Sequence, residues 1–407
     1  MTILNSNSFL SIQSCNQERS SPFWTPTTFT VRDTTTLFCF RDSSDRDYWY
    51  FDLFHGDAFV ELPIETLLPP EILERIQRKE VFLLLVNSHE TYHSVVEGVY
   101  KSIVVTGKIP AEQIVLLSES IDIYDEVKIV SKMFSAGEIN VEWMLEFEFN
   151  AQGQKRAAML AGQTSPTTLV DKHYTKKFLS FNLNLTSRLH RTSMISMLCA
   201  RNLLDYGYIS AGFIGNHPEW SQFLHEVKYL YQYDTDTLKL LEDNADRIGK
   251  IGKLHLDSTS PIDHAYLLPS TDYLYRDTYF SVITETNGFK YPPFAGPWGG
   301  YSGCGRLLSE KTFKAIAYQH PFILVGIPNS LDLLRRIGYK TFSPWIDESY
   351  DTETDVARRL VMVVDEIKRL SELPPDQLTE FLNGVRAVCQ YNYEVLMNKD
   401  VFTYRLN

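Results

Sequence analysis

The chain has no pair of cysteines close enough to make a CxxC motif. Its five cysteines, Cys15, Cys39, Cys199, Cys304 and Cys389, are scattered and odd in number. That excludes a cysteine-built zinc site and a disulfide framework, and it points to a reducing compartment. No apolar run approaches the roughly 20 residues that a membrane span needs. The first residues show no basic start followed by an apolar block, so no signal peptide is expected, and a cytoplasmic location is. Cations are outnumbered: 39 Lys and Arg face 51 Asp and Glu, a formal net charge of −12. A general binder of phosphate backbones carries a basic face, so broad nucleic-acid binding is not expected. No internal repeat is evident.

What is present is material for a core. Of 407 residues, 44% are hydrophobic, enough for two domains. Aromatic residues make up 13%. Most large aromatic side chains serve as core, although the same rings suit carbohydrate or nucleotide contacts.

The periodicities alternate between strand and helix. Strands are expected at Leu37–Phe40, Asp47–Phe54, Val81–Val86, Ile114–Leu117 and Val141–Phe149. Helices are expected at Glu71–Lys79, from Asn87 to about Thr106, and at Ile129–Phe134. The strand–helix–strand order is a βαβ unit, hence a parallel sheet. Residues 151–168 are weakly patterned and are expected to be a linker. The second half restarts with a strand at Lys177–Phe181. A long helix then runs from about Thr186 to Tyr206, with Gly207 as its C-cap. Further strands are expected at Tyr279–Thr284, Phe322–Val325 and Tyr339–Phe342. Helices are expected at Ser330–Ile337, Thr354–Leu370 and Asp376–Met397. The fold class is α/β, two Rossmann-like domains facing a cleft, with closing C-terminal helices. The expected boundaries are 1–170 for an N-terminal, acceptor-side domain and 171–370 for a nucleotide-binding domain. A C-terminal helix, 371–407, packs back on the first.

Three blocks in the second half carry chemistry. In Phe181–Arg191, a strand leads through Asn182 into a helix whose start holds Arg188, His190 and Arg191. The helix dipole disfavours cations there, so binding a diphosphate is a reason for them. The Tyr279–Asn287 segment ends an apolar strand in Glu285, a carboxylate just past a sheet edge. The segment Leu308–Gly326 reads as a helix capped by Ser309, with Glu310 and Lys311 in its first turn, then Pro321 and a buried strand. Phe313, Ile316 and Ala317 share one helix face. Glu310 suits a sugar or ribose diol, and Lys311 suits a phosphate.

Together, in this order, these blocks resemble the nucleotide-sugar half of GT-B glycosyltransferases, most closely the α1,3-fucosyltransferase type. The counterparts are Ser180–Asn182 with Arg188, Ile283–Asn287, and Ser309–Lys311 with Pro321–Gly326. The resemblance covers roughly 177–345. The spacing between the last two blocks is longer here. The chain is also similar to uncharacterised proteins of large phages and marine microbes. The resemblance implies transfer of a sugar from a nucleotide-diphosphate sugar to a hydroxyl acceptor. No metal or other cofactor is implied, since Arg and Lys offset the diphosphate charge. It assigns the diphosphate to Arg188 or Arg191, and the ribose and sugar to Glu285, Glu310 and Lys311, with Asn182 and Asn287 in the same motifs. The acceptor is a glycan, a protein or a modified viral DNA base, and no membrane partner is implied.

An inverting transfer needs a base to deprotonate the acceptor. In this layout it comes from the first half, where Asn87–His93 follows a central strand. Glu90 is the first candidate, with His89 and His93 behind it. The same residues spell H-E-x-x-H, a zinc-protease pattern. That pattern needs a third ligand, and none stands out. Asp234-Thr-Asp236 offers a metal-dependent, GT-A-like alternative. A non-catalytic nucleotide- or glycan-binding protein of the same fold is the other.

Overall fold

The computed structural model describes residues 48–52, 68, 70–87, 95–143, 145–160, 174–182, 189–211, 225, 227–251, 256, 271–286, 288 and 305–399. The chain divides into two compact units. One comprises 1–146, 290–307 and 400–405; the other comprises 147–289, 308–399 and 406–407. Each is built on a parallel sheet with helices between the strands, an α/β architecture.

In the first unit the strands are β1 (Tyr48–Asp52), β2 (Phe82–Asn87), β3 (Ile114–Ser118) and β4 (Asn140–Trp143). They pair in sequence order, β1-β2-β3-β4. The crossovers run through α1 (Pro70–Gln77), α2 (Val95–Val99) and α3 (Ile123–Met133). Parallel strands covered on both faces read as continuous apolar runs, and Leu83, Leu85, Ile114 and Leu116 are fully buried. They pack with Ile76, Val96, Val99, Ile103, Val127 and Val130 into one core. At the exit of β3, Arg306 donates from its backbone N and its guanidinium to Asp122, at 2.7 and 2.9 Å.

The second unit holds β5 (Phe178–Asn182), β6 (Gly207–Ala211), β7 (Phe280–Thr284) and β8 (Phe322–Val325). Their order is β6-β5-β7-β8. From β5 the chain crosses through α5 (Leu189–Ala200) to β6 on one side. After α6 (Thr235–Asp243), α7 (Ala245–Ile248) and α8 (Asp272–Arg276) it returns to β7 on the other side of β5. It then moves outward through α9 (Glu310–Ala317) to β8. The direction of winding therefore reverses between β5 and β7. Ligands of open parallel sheets bind beyond the carboxyl ends of the strands at such a reversal.

Phe313, Ile316 and Ala317 of α9 are buried together, as their spacing predicts. The closing helices are α10 (Ser330–Arg336), α11 (Val356–Ser371) and α12 (Pro375–Asn398), with Gly338 at φ 99° just past α10.

Three expectations change. The segment expected as strand to Phe149 and then linker is only β4, followed by helix α4 (Glu146–Leu160). Phe147, Glu148, Ala151, Gln152 and Lys155 are buried at helical spacing, and most are polar, so no apolar period marks them. Gln152 donates to the carbonyls of Leu396 and Lys399 at 2.6 and 2.7 Å. Glu148, fully buried, takes Lys399 at 3.1 Å and the Tyr339 hydroxyl. The long helix expected from Thr186 ends at Ala200, and Gly207 opens strand β6 instead of capping it. A Cβ there would lie 2.4 Å from the Phe178 ring of the neighbouring strand, so close approach is what requires glycine. Residues 339–342 form no strand. The backbone of Lys340 bonds the Asn392 side chain of α12 through both its N–H and its carbonyl, at 2.8 and 2.9 Å. The strand expected at Leu37–Phe40 lies outside the described residues.

Candidate functional site

The candidate site gathers at the carboxyl end of β7, the strand beside the reversal. Glu285 follows its last residue and stays paired, its N–H donating to the Val325 carbonyl at 2.9 Å. The side chain turns inside and is 1% exposed. Oε1 accepts from the backbone N–H of Ser309 at 3.0 Å and from Thr312 Oγ1 at 2.5 Å. Ser309 caps α9, so the carboxylate sits against that helix's positive end, where negative charge is favoured. Oε2 has no hydrogen-bond partner among the described residues. A buried carboxylate oxygen left this way costs free energy unless something donates to it.

The chain leaving β7 is held from two helices. His190, in the first turn of α5, lies with Nε2 at 2.9 Å from the Glu285 carbonyl. That oxygen can only accept, so the proton is on Nε2. Arg191 donates from Nη2 to the carbonyls of Thr284 and Glu285 at 3.2 and 3.0 Å. The His190 ring lies so close to Gly288 that a Cβ there would be 2.3 Å from it. Arg359 of α11 donates from Nη2 to the Gly288 carbonyl.

β8 supplies the next wall. A Cβ on Gly326 would meet Ser330 Oγ at 2.6 Å and Glu285 Cγ at 3.7 Å, so the exit of β8 runs tight against both. Glu310 and Lys311 follow Ser309 directly. Their side chains pair at 2.6 Å and are 13% and 15% exposed. Burial works against the Glu310 charge, but Lys311 and, more weakly, Lys314 overcome it and hold the carboxyl down to about 2.

Arg191, Glu285, Glu310 and Lys311 thus share one sheet edge. Asn182 ends β5, one residue past Phe181, which pairs with Ile283 of β7. Arg188 and Asn287 lie outside the described residues, as do His89, Glu90 and His93. Asp234 caps α6, its Oδ1 accepting from Thr237 N at 3.1 Å, with Asp236 in the first turn. Among the described residues no group of three or more His, Cys, Asp or Glu is placed to hold a metal. Sequence reasoning missed Thr312 and Arg359. For Arg359 the signal was there: Arg358-Arg359 stand near a helix start, the position that singled out Arg188 and Arg191.

No family model matches the chain. No curated protein matches it either. Among solved structures it is similar to the N-terminal domain of a trehalose-6-phosphate phosphatase from Candida albicans. That match has 9% identity and a TM-score of 0.38, covering 87% of this chain and 69% of the other. It is also similar to an α,α-trehalose-phosphate synthase (UDP-forming) from Burkholderia vietnamiensis. There the identity is 10% and the TM-score 0.34, covering 85% of this chain and 73% of the other. Likenesses of this size carry nothing about activity, and the α/β assignment rests on the strand order itself. No helix among the described residues is long and apolar enough to cross a membrane.

Proposed function

We propose that the chain is a glycosyltransferase with its nucleotide-sugar site at the carboxyl edge of the second sheet. The observation that carries the reading is Glu285. It is buried beside the winding reversal and fixed by Ser309 and Thr312, yet Oε2 lacks a donor among the described residues. A ribose or sugar hydroxyl supplies that donor. Glu310 and Lys311 stand next to it on α9, with opposite charges for the hydroxyl and phosphate ends of such a ligand.

On this reading the bond from the anomeric carbon to the diphosphate breaks, and the diphosphate leaves with the bonding electrons. The acceptor oxygen forms the new bond and gives its proton to a base, for which Glu90, then His89 and His93, are the candidates. The likeness to the α1,3-fucosyltransferase type, the absence of a metal requirement, a cytoplasmic location and a glycan, protein or DNA-base acceptor belong to the same proposal. The α/β sheet alone selects none of these, because such sheets host many chemistries.

A thermal-shift screen against nucleotide sugars tests the reading. At least one compound is expected to raise the melting temperature of the wild type, and Glu310→Ala is expected to lose most of that shift. If no nucleotide or nucleotide sugar stabilises the wild type, the reading is overturned.

A further inference from the structure

Arg359 reaches the same edge from α11 and has no part in the reading above. It lies one turn into the helix, where the dipole opposes a cation, and it is 2% exposed. Its Nη2 donates to the Gly288 carbonyl, and Nη1 lies 3.5 Å from the carbonyl of Glu353. Nε has no hydrogen-bond partner among the described residues. The acids whose charge it feels are bonded elsewhere. Both Asp351 oxygens accept from Leu331 N at 3.1 Å, and the Glu353 carboxylate pairs with Arg358 at 3.2 Å. Burial lowers the guanidinium to about 10, more than those acids offset. A buried cation that meets only neutral carbonyls calls for an anion.

The guanidinium edge formed by Nε and Nη2 is the one that meets two oxygens of a phosphate side-on. Here Nη2 faces Gly288, three residues past Glu285, while Nε is buried with no hydrogen-bond partner among the described residues. One ligand then completes both buried groups, giving a hydroxyl to Glu285 Oε2 and an anionic oxygen to Arg359 Nε. We propose that Arg359 binds the diphosphate at this site and makes it prefer nucleoside diphosphates over monophosphates and nucleosides. This rests on the donor-site reading.

The test compares wild type, Arg359→Gln and Arg359→Lys by calorimetric titration. The probes are GDP, UDP and ADP, their monophosphates and nucleosides, and inorganic pyrophosphate. Arg359→Gln is expected to weaken the diphosphate that binds, and pyrophosphate, at least tenfold. Nucleoside affinity is expected to stay within twofold, and Arg359→Lys to recover part of the loss. If Arg359→Gln does not fold, hydrogen exchange on the wild type decides. The bound diphosphate, compared with its nucleoside, is expected to slow exchange in peptides covering 284–288 and 356–360. A folded Arg359→Gln that keeps diphosphate affinity within twofold overturns the proposal, as does wild-type exchange unchanged in those peptides. Either result leaves the donor-site reading standing. A wild type that binds none of the nucleotides or nucleosides removes that reading, and this inference with it.

Discussion

Asp351 and Glu310 are two acids of the second unit driven in opposite directions. Burial pushes Asp351 up to about 6, against the bonds it accepts from Leu331 N and the charge of Arg335. Glu310 is held at about 2 by its lysines. The consequences for stability have opposite signs. The Glu310 carboxylate stabilises the fold above about 4.5 and loses that contribution as pH falls through about 2. The folded chain keeps a proton on Asp351 across a window, about 4 to about 6, in which the unfolded chain has lost it. Stability therefore falls as pH rises through that window, by about 3 kcal/mol for this group. Asp351→Asn removes the titration. Urea unfolding between pH 4 and pH 7 is expected to show a smaller loss of stability in the variant than in the wild type. An equal loss in both contradicts the assignment.

At the scale of elements, β5 and β6 are set by one glycine. Gly207 leaves room for the fully buried Phe178 ring, and a Cβ would approach it to 2.4 Å. Gly207→Ala is expected to cost about 2 kcal/mol or more in denaturant unfolding, since neither strand can shift without losing register. A cost under about 0.5 kcal/mol contradicts that packing. The same strand shows what the sequence does not reveal. β2, β3 and β8 are legible because a parallel strand buried on both faces carries a long apolar run, as in Phe322-Ile-Leu-Val325, and β7 is legible from Phe280, Val282 and Ile283 despite Ser281. β6, Gly207-Tyr-Ile-Ser-Ala211, starts on a glycine and has only Tyr208 and Ile209 as adjacent large apolar residues, so no such run marks it. α4 is hidden in the same way, because its buried face is Glu148, Gln152 and Lys155 as much as it is Phe147. Within the site, Glu285, Glu310 and Lys311 are legible because strand ends and helix starts can be read locally. Thr312 is not, because its partner lies 27 residues away; the place of Arg359 near a helix start is legible, but its partner, 71 residues away, is not.

At the scale of the whole molecule, two sheets of the same class are wound differently. The described strands of the first run in sequence order, while the second reverses between β5 and β7. Of the two described sheets, the second therefore gains a crevice from its topology, and two of the buried atoms without a hydrogen-bond partner among the described residues, Glu285 Oε2 and Arg359 Nε, belong to side chains held at the segment leaving β7. The net charge of −12 does not describe this edge, where Arg191, Lys311 and Arg359 come together around Glu285 and Glu310. On the donor-site proposal, an acidic protein holds an anionic small molecule at this edge without attracting a nucleic-acid backbone. The measurement that tests this most directly is a calorimetric titration of wild type and Glu285→Gln with a panel of nucleotide sugars. The account predicts that one member binds the wild type and binds Glu285→Gln at least tenfold more weakly, with the variant still folded by circular dichroism. Equal affinity in the two proteins, or no binding to the wild type, contradicts it.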